Sequence, residues 1–120
     1  MDARPLSPHL SVSPQITAAD LQGLADRGFR SILCNRPDGE EPGQPDFAAI
    51  AAAAQALGLV IRHQPVSPGQ MADADAARFG RHLADLPGPV LAYCRSGARC
   101  ETLWGRWVAL AAAADVSSAC

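Results

Sequence analysis

The sequence predicts an α/β fold, a single domain built on an open, mostly parallel sheet of four to five strands flanked by helices. Three observations predict it. Short apolar runs alternate with helical runs in the order βαβαβαβα, and this alternation builds a parallel sheet with helices on both faces. A length of 120 residues suits one hydrophobic core, so residues 1–120 are read as one domain with one site. The run PVLAY, Pro89 to Tyr93, is apolar without alternation, as a central strand covered on both faces must be.

Each element follows from its local chemistry. Leu10 to Ile16 (LSVSPQI) alternates apolar and polar residues and reads as a short edge strand, because Pro14 removes a ladder donor. Thr17, with Asp20 three residues on, offers an N-cap, and TAADLQGLADRG continues as an amphipathic helix stopped at Gly28. Phe29 to Cys34 (FRSILC) is the next strand. The loop after it, NRPDGEEPGQP, is dense in Pro, Gly and acid, and its length marks it as a functional edge. Asp46 to Leu57 is an alanine-rich helix ending at Gly58, Leu59 to Val66 the following strand, and SPGQ its turn. Met71 to Leu86 is helical until Pro87 and Gly88. After the strand Pro89 to Tyr93, Cys94 to Arg99 is a loop leading into a last helix from about Cys100 to Asp115. In such sheets ligands bind beyond the carboxyl ends of the strands, where this loop lies.

Composition excludes several classes of function. A formal net charge of -2, with the basic residues scattered along the chain, gives no field for nucleic acid. No run approaches the roughly 18 apolar residues of a membrane span, and Met1 to Gln15 lacks the charged and apolar regions of a signal peptide. The chain therefore reads as cytoplasmic, with no membrane partner. Cys34, Cys94, Cys100 and Cys120 show neither C-x-x-C spacing nor histidine partners, so neither a zinc site nor any cofactor is expected.

The chemistry concentrates in VLAYCRSGARC. A thiol is nucleophilic only as thiolate, and a free cysteine with a pKa of about 8.5 is mostly protonated at neutral pH. The backbone N–H groups from Arg95 to Cys100 can curl around the Cys94 sulfur, with the positive end of the following helix behind them. Gly97 permits the backbone a positive φ, Ala98 contributes its amide, and Ser96 offers a hydroxyl. Arg99 supplies a planar fork for the oxygens of an anion and Arg95 a second charge at the mouth. These parts fit nucleophilic catalysis on an anionic substrate.

Three stretches, RPLSPHLSVSPQIT, NRPDGEEPGQP and AYCRSGARCETLW, resemble the bacterial family named for the phosphatase-like domain of β-lactamase-hydrolase-like proteins, also described as candidate sulfur transferases. The resemblance implies the tyrosine/dual-specificity-phosphatase-like fold. It places the nucleophile or persulfide carrier on Cys94 and the loop arginine on Arg99. It also names a persulfide dioxygenase or a sulfide:quinone oxidoreductase as partners, and similar loops overhang the cysteine cradle, which assigns Arg36 and Asp38 an accessory role in orienting loop or substrate. In related loops Cys100 is replaced by Ser or Thr. Relatives continue past the last helix, whereas this chain stops at Cys120, an ending expected to leave an apolar patch for a partner.

Two counts favour sulfur over phosphate. Tyrosine and dual-specificity phosphatases place five residues between cysteine and arginine, but here the arginine comes one place earlier, at Arg99, as in the C-R-x-G-x-R loop of single-domain rhodaneses. The phosphatases also carry an Asp after the strand that corresponds to Val60–Val66, whereas Ser67 stands there, and Asp73 and Asp75 read as helix caps. The expectation is a rhodanese-like sulfurtransferase. Cys94 takes sulfane sulfur from a small anionic donor, thiosulfate or glutathione persulfide, and passes it to a thiol or cyanide acceptor. A cysteine phosphatase and a non-catalytic redox or persulfide sensor are the alternatives, the sensor using Cys100 as a resolving thiol. His9, His63 and His82 carry no motif, Trp104 and Trp107 read as a packed helix face, and a Cys34–Cys94 disulfide is conceivable.

Overall fold

The computed structural model describes residues 2–119. Cys120, and with it the patch expected at the end of the chain, lies outside them. The elements follow in the order β1 (Arg4–Pro5), β2 (Leu10–Ser13), a 3-10 turn (Ala18–Asp20), α1 (Leu21–Asp26), β3 (Ser31–Cys34), α2 (Phe47–Ala56), β4 (Val60–His63), α3 (Asp73–Asp85), β5 (Val90–Tyr93) and α4 (Ala98–Ala119). Five strands form one sheet in the order β1-β2-β5-β3-β4. β1 pairs antiparallel with β2, and all other pairs are parallel. The LSVSPQI strand is not the edge. It ends before Pro14, and the edge is taken by β1, whose two residues are too few to leave a periodic signal.

β5 is central because all four of its residues are buried. Val90 lies opposite both Leu10 of β2 and Ser31 of β3. Successive side chains of a strand point to opposite faces, and the sheet divides the core accordingly. Val90 and Ala92 pack with Leu10, Val12, Phe79 and Leu83 under α3 and α4. Leu91 and Tyr93 pack with Ile32, Leu24, Ile50 and Ala54 under α1 and α2. Cys94 falls in the first core and Cys34 in the second, and both are free thiols. The conceivable Cys34–Cys94 disulfide is therefore not formed.

The helices bind by spaced apolar residues. α2 buries Ile50 and Ala54, four apart, and α3 buries Ala76, Phe79, Gly80 and Leu83. α3 meets α4 where Gly80 leaves room for an indole: a Cβ there would lie 2.3 Å from Trp107. No helix among the described residues is long and apolar enough to cross a membrane.

Candidate active site

The site forms where β5 ends and α4 begins, at the carboxyl end of the sheet. β2 holds the connecting loop by its backbone. Cys94 N–H donates to the Ser13 carbonyl (3.4 Å), and Gln15 N–H donates to the Arg95 carbonyl (3.2 Å). The turn requires Gly97, whose φ is +92° and whose absent Cβ would stand 3.2 Å from Arg4 Nη2 and 3.3 Å from the Ser13 carbonyl carbon. In that conformation the Gly97 N–H donates to Cys94 Sγ at 3.1 Å. Ser96 Oγ accepts from Ala98 N–H at 3.3 Å and starts α4.

The Cys94 thiol is pushed down to about 5. The largest cause is the Cys100 side chain, whose S–H donates to the sulfur; burial opposes the shift, and the backbone N–H groups of Cys100, Arg99 and Gly97 reinforce it. Cys100 goes the other way. Burial first, then the neighbouring Cys94 sulfur, push its thiol well above the usual range. The pair thus divides into a thiolate and a fixed S–H donor. Cys94 borders a cavity of about 310 Å³ lined by Pro68, Gly69, Met71, Cys94, Arg95, Ser96, Ala98, Arg99 and Thr102.

Arg99 is only 8% exposed and is aimed by three contacts. Nη1 donates to Glu40 Oε2 (2.9 Å) and to the Val66 carbonyl (2.9 Å), and Nη2 donates to Glu40 Oε1 (3.2 Å). A guanidinium has five N–H donors, so these contacts leave Nε–H and one Nη2–H for an anion. Glu40 is shared. Its Oε1 also accepts from Arg36 Nε at 2.8 Å, and Arg36, 1% exposed, donates further to Glu41 Oε1 (3.0 Å) and Gln15 Oε1 (3.1 Å). Burial works against a charge on Glu40, but the hydrogen bonds and charges of Arg99 and Arg36 outweigh it and hold the carboxyl below its usual range. Glu41 reaches Arg95 at 3.6 Å.

The structure thus brings Cys94, Arg95, Ser96, Ala98 and Arg99 to one cavity, with Gly97 shaping the turn and Cys100 behind the sulfur. Arg36 joins them through Glu40. Asp38 does not: its Oδ1 accepts from Phe47 N–H at 2.8 Å and starts α2. His63 also serves the scaffold, stacking on Phe47 with ring centroids 4.3 Å apart, its Nε2 2.9 Å from the Arg36 carbonyl. Sequence reasoning missed Glu40 and Glu41, marking the loop that carries them as a functional edge without singling either out. The signal was present: two arginines in the cysteine loop need counter-charges, and a loop at the same end of the sheet carries an acidic pair.

A stabilised thiolate beside an arginine, on a strand-to-helix loop at the carboxyl end of a parallel sheet, defines the tyrosine/dual-specificity-phosphatase-like fold class. The catalytic domain of a Saccharomyces cerevisiae PP-IP phosphatase, solved with citrate, shares this fold at a TM-score of 0.62 and 15% identity, over 79% of this chain and 56% of that one. The family described as beta-lactamase hydrolase-like protein, phosphatase-like domain, matches residues 2–113, and the chain belongs to it. It is 39% identical over 104 residues to a beta-lactamase hydrolase-like protein of Agrobacterium fabrum, covering 87% of this chain and 24% of that protein. The chain therefore spans about a quarter of the length of the curated relatives it matches. A candidate phosphatase of Neisseria meningitidis, solved as a crystal structure, is 44% identical with a TM-score of 0.81, over 85% of this chain and 72% of that one.

These findings correct the sulfurtransferase expectation, and with it the persulfide chemistry. The family and its solved relative are both described as phosphatase-like or as a phosphatase, which supports the alternative reading instead. The physical reason lies in the loop count. Arg99 is aimed by Glu40 and the Val66 carbonyl, so its place in the chain does not by itself set the size of the anion held. The cavity of about 310 Å³ also has room for an ester beyond a single sulfur atom.

Proposed function

We propose that the domain is a cysteine-dependent phosphatase acting through a phosphocysteine. The Cys94 thiolate attacks phosphorus, the P–S bond forms, and the P–O bond to the leaving group breaks. Loop N–H groups and the free edge of Arg99 hold the phosphoryl oxygens where charge develops. Water then attacks phosphorus, inorganic phosphate leaves, and the thiolate returns. The observation that carries this reading is the Cys94 sulfur, ionised at neutral pH and bordering the cavity that Arg99 also lines.

The experiment is hydrolysis of p-nitrophenyl phosphate by the purified protein. Release of p-nitrophenolate should fall to background in Cys94→Ser, and by roughly 10² to 10³-fold in Arg99→Ala, the cost of removing one preorganised donor to developing charge. Because the thiolate is the reactive form, the rate should be lost as pH falls through about 5. Equal activity in Cys94→Ser would overturn the reading.

A further inference from the structure

The carboxyl groups around the cavity are committed elsewhere. Glu40 is clamped as a carboxylate between Arg36 and Arg99, with three guanidinium contacts at 2.8 to 3.2 Å, and so holds no proton to give. Asp38 accepts the first N–H of α2. On the other side the cavity wall is Pro68, Gly69 and Met71, and the acids that follow lie outside the lining: Asp75 Oδ2 accepts Ala72 N–H at 2.9 Å, and Asp73, an exposed side chain, faces Arg106 at 3.7 Å. None of the described residues lining the cavity carries a carboxyl group.

The chemistry follows from where the electrons go. When the thiolate displaces the ester oxygen, the P–O bonding pair departs on that oxygen. With a general acid the oxygen leaves protonated, which is worth roughly 10² to 10⁴-fold. Here it leaves as an anion and takes its proton from water. The cost is small for a stable anion and prohibitive for an alkoxide. We propose that this site is selective for phosphoryl donors with acidic leaving groups, aryl and acyl phosphates, and discriminates against alkyl phosphate monoesters. The inference rests on the phosphatase reading. A tyrosine phenol, with a pKa of about 10, marks the basic end of the accepted range.

The test is a series of para-substituted phenyl phosphates, with kcat/KM measured on the whole chain and on Asp73→Asn and Asp75→Asn. The expected result is that p-nitrophenyl phosphate exceeds phenyl phosphate by roughly 10² to 10⁴-fold, the range a general acid would recover. Both variants should keep that ratio, and kcat/KM should show no fall at alkaline pH. A ratio within tenfold, or a ratio that rises in either variant as the alkaline limb of its pH profile disappears, would overturn the proposal and identify the acid. Failure of any Cys94-dependent release from p-nitrophenyl phosphate would instead sink the phosphatase reading, and this inference with it.

Discussion

The thiol of Cys100 donates to the Cys94 sulfur from a position without solvent access. Burial keeps that thiol protonated, so it acts as a donor and not as a second nucleophile. Removing the donor destabilises the charged form of its partner, and the pKa must rise. Cys100→Ala should therefore move the alkylation of Cys94 by iodoacetamide from a midpoint near pH 5 toward the ordinary thiol range, whereas Cys100→Ser, which restores an O–H, should hold it low. Measuring alkylation rate against pH in the three proteins checks this. An unchanged midpoint in Cys100→Ala would assign the depressed pKa to the loop N–H groups alone.

At the scale of elements, the strand-loop-helix unit was legible because its chemistry is local: the cysteine, the glycine and the arginine lie within six residues, and PVLAY announces a central strand. The clamp on Arg99 was not, because Glu40 lies 59 residues away in the chain. Pattern within a window cannot pair charges across the sheet, and PDGEEPG shows an acidic loop but not which arginine it faces until β3 brings it to the cysteine's end. Asp38 shows the same limit in reverse, a residue given an accessory role by resemblance whose local contact is with the first N–H of α2. The α3–α4 contact was half legible. Trp104 and Trp107 read as a packed face, but the partner of Trp107 is Gly80, a residue without a side chain to signal its role. Gly80→Ala places a Cβ 2.3 Å from the indole, and overpacking of this kind costs about 1–3 kcal/mol. A thermal melt should show Tm lower by roughly 4 °C or more. No loss would mean that the indole swings aside freely.

For the whole molecule, alternation of strands and helices was enough to foresee the doubly covered parallel sheet, since one apolar run without alternation fixes the centre and the rest follow from helix caps and breakers. The two-residue β1 was beyond reach, and with it the correct edge. The reaction was legible only to the level of a cysteine nucleophile on an anion, because the same cradle of amides and arginine serves sulfur and phosphorus. The relatives are described in terms of phosphate and not of sulfur, which is what favours the reading proposed above. The most direct measurement is intact-mass spectrometry of the protein mixed with p-nitrophenyl phosphate and quenched in acid during turnover. One phosphoryl group should appear on Cys94 with a burst of p-nitrophenolate and decay on removal of substrate. Turnover without any phosphoryl adduct on Cys94, or with the adduct on another residue, would contradict the phosphocysteine mechanism.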